Sequence, residues 1–369
     1  MRVARVFGIP IHIDLSWLFI FVLVAWSLSS AFGPFHNISL PPGARVALGI
    51  LTALLFFASV LAHELAHSLV ARMRGLKVSR ITLFIFGGIS QIGGDFESAT
   101  GEGWVAFVGP LTSFIIGVVS YGLARALGMQ TPFGAAAWYL GWANIVLAVF
   151  NLVPAYPLDG GKVLHSLIWR ATGDRRQATR IAAGIGQTIA LTMVGFGIFL
   201  AFAGNFASGI WLAVIGWFLN QAGRAEAFQT ELAQSLRGHP VRDIATVPPP
   251  ALKQDDTART ATDMLLRSGQ RAAPVVSNGH LVGIVTLTDL ARAHATSSEE
   301  PLSALMTPAS KIVSVAPATD SLDALSQLAQ TGFHQLPVID ESGTIIGFIT
   351  RDGVLRRLTY ASGHGQARG

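Results

Sequence analysis

Long runs of uncharged, apolar residues constrain this chain more than any other feature of its sequence. The longest, from Ile181 to Gly223, contains no Asp, Glu, Lys or Arg. A helix needs roughly 20 apolar residues to cross a bilayer core about 30 Å thick. We divide the longest run at Gly204-Asn205 and therefore predict six membrane helices, near residues 15–32, 47–71, 103–123, 132–153, 182–202 and 208–223.

The composition divides the chain into two regions. Of its 369 residues, 51% are hydrophobic and only 13% are charged, whereas soluble domains average about 25% charged. From residue 241 onward the charge density is that of an ordinary soluble protein. We therefore expect a membrane domain over residues 1–225, a linker over 226–241 and a soluble region after it. Residues 15–32 could instead be a signal peptide, but no small-residue cleavage site follows them.

Lysine and arginine fall mainly on one side of the six predicted helices. A net charge of +5 would also suit a nucleic-acid-binding protein, but these residues cluster between apolar runs, as topology determinants do. We therefore expect both termini in the cytoplasm, a location in the cell membrane and no nucleic-acid partner. The residues on the predicted cytoplasmic side are Arg2, Arg5, Arg72, Arg74, Lys77, Arg80, Lys162, Arg170, Arg175, Arg176, Arg180 and Arg224.

A short apolar segment, Ile81–Gly94, lies between the second and third predicted helices. It is too short to cross a membrane as a helix, and it contains four glycines. Its alternating apolar residues and paired glycines predict a re-entrant β-hairpin, since non-helical backbone at membrane depth needs protein or a water-filled cavity around it. A hairpin lying in the headgroup layer is the alternative.

The sequence LAHELAHSLV, in the second predicted helix, contains the candidate metal-binding and catalytic residues. His63 and His67 are four residues apart, so they project from one helical face and can share a metal ion. Glu64 is placed to take a proton from the water that attacks a substrate. A chance HExxH is the alternative, but an ionisable residue within a membrane helix costs about 3 kcal/mol or more unless it is used.

The site needs a third ligand, since catalytic zinc usually has three protein ligands, and the chain has no cysteine. Asp159, in NLVPAYPLDGGKVL, is the only acidic residue between Leu111 and Gly173. Pro154 and Pro157 break the fourth helix just before it, which is a plausible way to hold a carboxylate against a metal. Asp159 as the N-cap of the following segment is the alternative.

The soluble region contains an internal repeat. AAPVVSNGHLVGIVTLTDL (272–290) and HQLPVIDESGTIIGFITRDGV (334–354) align at a proline and a glycine. Each copy predicts a helix, a strand, a turn, a second strand and a second helix. We therefore expect one α/β repeat over 242–297 and another over 298–369, the latter including a C-terminal tail.

HELAH, FGGIS, GPLTS (109–113) and NLVPAYPLDGGKVL together resemble the site-2 protease family of intramembrane zinc metalloproteases over residues 1–225. The repeat resembles a tandem pair of cystathionine-β-synthase-type (CBS) domains. The resemblance implies a multi-pass α-helical membrane protein with a re-entrant β-hairpin, followed by a soluble α/β tandem CBS domain. It implies an endopeptidase that cleaves transmembrane segments of membrane-bound proteins in the lipid bilayer.

Carried over by position, the resemblance makes His63, His67 and Asp159 ligands of Zn²⁺ and Glu64 the general base. Asn151 matches a family asparagine that holds substrate or the oxyanion, with a polar contact between helices as the alternative. The hairpin, at Phe86, Gly87 and Gly88, would bind an extended substrate as an added strand.

In the CBS pair, the resemblance implies an adenine nucleotide at Gly283, Thr286 and Asp289, and at Thr350 and Asp352. The second copy departs from the spacing of the first, because Gly353 stands where an aspartate is expected. A purely structural or dimerising role is the alternative to nucleotide binding. Because CBS pairs often stack as dimers, the resemblance also implies a homodimer through the CBS domains. His165 is interpreted as an ordinary packing histidine.

Two other classes of protein compete with the protease. A CBS-regulated transporter or channel would explain the helices and the repeat, but not HELAH with Asp159, and no inverted repeat is visible in residues 1–225. A metal-binding membrane scaffold without activity would have no need of Glu64.

Overall fold

The computed structural model describes residues 2–31, 40–85, 87–94, 96–278, 280–294, 299–331, 335–350 and 353. Two residues with predicted roles, Phe86 and Asp352, and nearly all of the predicted C-terminal tail lie outside this part of the chain. The chain divides into two compact units, Met1–Thr230 and Glu231–Gly369.

Long apolar helices form most of the first unit. Six of them cover the predicted spans, apart from the ends of the first and the fourth. In the described part of the chain, α2, α3, α4 and α6 are long and apolar enough to cross a membrane, and Leu15–Ser30 is a shorter apolar helix. The count of six membrane helices therefore stays a prediction. The helices are α1 (Leu15–Ala31), α2 (Pro42–Met73), α3 (Ala99–Leu127), α4 (Pro132–Asn151), α5 (Asp159–Thr172), α6 (Arg175–Phe202) and α7 (Phe206–Leu236).

The predicted hairpin between α2 and α3 is present and belongs to a larger sheet. β3 and β4 pair antiparallel, as do β1 and β2 at the N-terminus, and β2 joins β3 in parallel. The sheet order is β1-β2-β3-β4, which places β4 at an edge. The strands are β1 (Arg2–Val6), β2 (Ile9–Ile13), β3 (Lys77–Phe84) and β4 (Gly87–Gly93).

This sheet packs on the helix that carries HELAH. Ile9, Ile11 and Ile81 form a buried cluster, against which Leu61 and Leu65 of α2 pack. α3 packs against α2, α4 and α5. The segment from His63 to His67 is therefore held between the sheet and α3.

The second unit repeats one supersecondary motif, as the sequence predicts. Each copy has its own buried cluster, one containing Leu265 and Val285 and the other Leu328 and Ile349. The elements are β5 (Leu252–Lys253), α8 (Ala258–Ser268), β6 (Ala272–Ser277), β7 (His280–Thr286), α9 (Leu287–His294), α10 (Leu302–Leu305), β8 (Thr307–Pro308), α11 (Ser321–Thr331), β9 (Gln335–Ile339) and β10 (Ile345–Thr350).

Candidate active site

One turn of α2 directs two imidazole rings toward the same point. His63 and His67 are buried, and their Nε2 atoms lie 3.1 Å apart. The Nδ1 of His67 lies 2.6 Å from the carbonyl oxygen of Val105, which can only accept, so Nδ1 carries the proton and Nε2 presents its lone pair. The Nδ1 of His63 lies 2.9 Å from the hydroxyl oxygen of Ser113.

Asp159 completes this group from a different element. It is the first residue of α5, and the N-cap position belongs to Leu158, which makes no side-chain capping bond. The Oδ2 of Asp159 lies 3.1 Å from the Nε2 of His63 and 3.2 Å from the Nε2 of His67. The carboxylate thus faces the two imidazoles instead of capping its helix.

The spacing of these three atoms suits a tetrahedral zinc ion. Zinc binds imidazole nitrogen and carboxylate oxygen at about 2.0–2.2 Å, so tetrahedral angles place its ligand atoms about 3.4 Å apart. The three observed separations, 3.1–3.2 Å, are close to that value. The lone pair on Nε2 of His67 faces the carboxylate oxygen of Asp159 at 3.2 Å, and the two would repel each other without a proton or a cation between them. The residues present therefore fit the metal.

α3 supports the histidines through the two ends of the segment GPLTS. A Cβ built on Gly109 would overlap with the rings of His63 and His67, so only glycine leaves room for them. Ser113, one turn further on and fully buried, holds the Nδ1 side of His63. Sequence reasoning assigned no role to either residue. A small residue and a hydroxyl residue at i and i+4 on an apolar helix is the signal that would have found them.

β4 passes directly against Glu64. The hydroxyl of Ser90 donates to the Oε2 of Glu64 at 2.6 Å. A Cβ built on Gly88 would overlap with the Cγ of Glu64. The hairpin that the sequence predicts as a substrate site therefore also contacts the predicted general base.

One cavity of about 940 Å³ brings the predicted residues together. Asn151 lines it, and its Nδ2 donates to the Leu147 carbonyl of its own helix, 3.1 Å away. The predicted site residues that line the cavity are His63, Glu64, His67, Gly87, Gly88, Asn151 and Asp159.

The same cavity extends to further charged residues. Lys162 lies 3.6 Å from Glu226. The buried Glu102 also lines the cavity, and its Oε1 lies 3.0 Å from the Nδ1 of His165. His165 is buried and hydrogen-bonded within the helix packing, as expected of a packing histidine.

Comparison with known proteins agrees with this geometry. The model of peptidase family M50 matches residues 51–131 and 124–196, and the CBS domain model matches 241–296 and 302–360. "Putative zinc metalloprotease Rip3" from Mycobacterium tuberculosis is 31% identical over 361 residues, which cover 95% of this chain and 91% of the relative. This chain belongs to peptidase family M50.

A second relative leads to the same family. "Putative zinc metalloprotease sll0528" from a Synechocystis species is 31% identical, covering 97% of this chain and 95% of the relative. The structure of the site-2 protease from Methanocaldococcus jannaschii is 29% identical, with a TM-score of 0.43, covering 62% of this chain and 94% of that one. The M50 chain is therefore a zinc metalloprotease with a membrane domain and a CBS pair, and the transporter alternative is wrong.

In the first CBS copy of this M50 peptidase, the predicted nucleotide residues form a helix cap. The Oδ2 of Asp289 accepts hydrogen bonds from the backbone N–H of Thr286 at 3.0 Å and from its hydroxyl at 2.6 Å. The hydroxyl oxygen of Thr286 in turn accepts from the N–H of Asp289. This reciprocal arrangement is a capping box at the start of α9.

The second CBS copy keeps only half of this cap. The hydroxyl oxygen of Thr350 accepts from the N–H of Gly353 at 3.0 Å, but Gly353 has no carboxylate to return a bond. Packing alone explains the glycine at position 283 in the first copy, because a Cβ there would crowd Met306 and Thr307. The two copies therefore differ in structure where they differ in sequence.

Proposed function

We propose that this M50 peptidase cleaves peptide bonds in or near the transmembrane segments of other membrane proteins, with His63, His67 and Asp159 as its zinc ligands. One observation carries the proposal: two imidazole nitrogens from α2, a helix apolar enough to cross a membrane, converge with one carboxylate oxygen from α5 at separations of 3.1–3.2 Å. A hydrolytic centre on a membrane helix suits substrates that also lie in the bilayer.

The residues around the metal divide the work of hydrolysis. Zinc, when bound, polarises the scissile carbonyl and makes water more acidic. Glu64 takes the proton of the attacking water and passes it to the leaving amine, which a carboxylate within the cavity can do in both directions. Asn151, on the same cavity, is placed to donate a hydrogen bond to the substrate or to the oxyanion that develops on its carbonyl.

The substrate binds in extended form along β4. In the described part of the chain, β4 pairs with β3 on one side, and its other edge has no strand partner. Gly87 and Gly88, at the start of this strand, line the cavity that contains the metal ligands. A transmembrane helix that unwinds locally could therefore add its backbone to β4 and present a carbonyl to the zinc. Phe86, which directly precedes Gly87 in the sequence, remains a predicted substrate residue.

The finer arrangement of the chain follows from its charges. Six membrane spans with Lys and Arg on one side place both termini in the cytoplasm, and residues 226–241 connect the protease domain to the CBS pair. A homodimer through the CBS domains is part of this proposal. Thr286 and Asp289 are the residues that would contact the ribose or phosphate of an adenine nucleotide, with Gly283, Thr350 and Asp352 at matching positions.

The test of the proteolytic role is Glu64→Gln, measured beside the wild type in detergent. We expect the variant to bind as much zinc as the wild type, since Glu64 is not a ligand. Its cleavage of a model transmembrane substrate should fall by about 10²-fold or more, because the general base is lost. Cleavage at the wild-type rate by Glu64→Gln would contradict the assigned role. Zinc binding without cleavage by either protein would instead favour a metal-binding scaffold.

A further inference from the structure

The inner face of β4 is directed at Glu64. Along this strand, Gly88, Ser90 and Ile92 are half-buried and alternate with exposed Ile89 and Gln91. Alternate residues of a strand point to opposite faces, so Gly88 and Ser90 share the face that packs on α2. Gly88 leaves room for the Glu64 side chain, and Ser90 supplies a hydroxyl to it.

The contact between Ser90 and Glu64 is short and directional. The Ser90 hydroxyl donates to Oε2 at 2.6 Å, a length typical of an O–H donor to a carboxylate. The backbone oxygen of Glu64 also lies within reach of Ser90, at 3.1 Å. Ser90 therefore contacts both ends of the glutamate, which limits the rotamers open to its side chain.

A second serine orients the first. The hydroxyl of Ser68, fully buried one turn after Glu64 on α2, donates to the oxygen of Ser90 at 3.2 Å. Since Ser90 accepts this bond, its own proton is directed onward to the carboxylate. The three groups form a chain of hydrogen bonds from Ser68 through Ser90 to Glu64, and such chains strengthen each member.

We propose that Ser90 is a positioning residue that holds the Glu64 carboxylate in the geometry needed for proton transfer. This rests on the proposed role of Glu64 as the general base. A glutamate side chain has three rotatable bonds, and displacement of a catalytic group by about 1 Å can cost about 10²-fold in rate. The hydrogen bond from Ser90 holds one carboxylate oxygen of Glu64. It therefore limits rotation of the Glu64 side chain before the substrate binds.

The experiment compares the wild type with Ser90→Ala, Ser90→Thr and Ser59→Ala, and it repeats Ser90→Ala in a Glu64→Asp background. Ser59 is a matched control, because it is a buried serine of the same helix as Glu64. Among the described residues, its hydroxyl bonds only to the Phe56 carbonyl of its own helix. For each protein, zinc content, kcat and KM are measured with one transmembrane substrate. KM is needed because Ser90 lies on the strand that we propose binds the substrate.

We expect Ser90→Ala to keep full zinc and a similar KM while kcat falls about 10- to 100-fold. Ser90→Thr, which retains the hydroxyl, should recover most of that loss, and Ser59→Ala should match the wild type. Glu64→Asp withdraws the carboxylate from Ser90, so adding Ser90→Ala to Glu64→Asp should cost little more.

Other outcomes would overturn the proposal in distinguishable ways. A Ser90→Ala variant with the kcat of Ser59→Ala, or one that loses zinc in step with activity, would show that Ser90 does not position the base. A loss of kcat as large in the Glu64→Asp background as in the wild type would exclude action through Glu64. If the wild type binds zinc without cleaving, or Glu64→Gln cleaves normally, the failure belongs to the proposed function and not to Ser90.

Discussion

At the scale of the residue, the metal site depends on a glycine that leaves room for the two histidine rings. Gly109 has the imidazoles of both histidines against its Cα, and no larger residue fits without displacing them. Ser113 and the carbonyl of Val105 then hold the outer nitrogens of the rings, which orients both rings so that their Nε2 atoms face Asp159. The ligands are thus held by their neighbours as well as by their own helix.

Gly109→Ala should therefore lose zinc while the protein stays folded. The added methyl group pushes the rings apart, and we expect the affinity for zinc to fall about 10- to 100-fold, as for other groups that orient ligands. Gly122→Ala, on the same helix with open space around its Cα, is the matched control and should bind zinc like the wild type. Metal analysis after dialysis against a zinc buffer measures the affinity, and thermal unfolding reports the fold. Full zinc retention in Gly109→Ala would show that the rings are not held as described.

At the scale of the element, β4 is the strand to which both the substrate and the base are tied. Its outer edge is unpaired among the described strands, and its inner face contacts Glu64. The substrate would thus pair with the outer edge of β4, while the inner face of the same strand positions Glu64.

Strand addition predicts a period of two in the substrate. In a synthetic transmembrane peptide, N-methylation of every second residue near the cleavage site should weaken binding. Methylation of the intervening residues should have little effect, because only alternate N–H groups point to the neighbouring strand. Competition of each methylated peptide with an unmodified substrate gives the relative affinities. A loss that does not alternate along the peptide would exclude pairing with β4.

At the scale of the whole molecule, the protein combines a membrane protease with a CBS pair whose two copies are unequal. The first copy has the complete capping box of Thr286 and Asp289, and the second lacks the carboxylate at Gly353. If the carboxylate is needed for a nucleotide as well as for the cap, the first copy is the functional one.

AMP or ATP should therefore raise the unfolding temperature of the full-length protein, since a ligand that binds only the folded state stabilises it. Asp289→Ala should abolish this shift, whereas Asp263→Ala, which removes an exposed carboxylate of α8, should keep it. Loss of the cap lowers the starting stability by about 1 kcal/mol, so the comparison is between shifts and not between absolute temperatures. An equal shift in both variants, or none in the wild type, would contradict nucleotide binding at Asp289.

Much of this protein could be predicted from its sequence because the relevant rules are local. Two histidines four residues apart share a face of any helix, and an apolar run of sufficient length favours a membrane whatever its neighbours are. Asp159 could be found because it is the only acidic residue between Leu111 and Gly173. The hairpin and the CBS repeat could be found from alternation and turn residues, which are also local signals.

The tertiary structure alone decided which distant residues complete the site. Sequence offers no period that connects Ser113 to His63, Ser90 to Glu64, or the parallel pairing of β2 with β3, since each depends on elements that meet only after packing. The same is true of Gly109, whose role is set by rings on another helix. Local geometry determined which groups the chain offers to a metal and a substrate. Packing between distant elements decided how those groups are held, because hydrogen bonds and close contacts depend on position in space and not on separation along the chain.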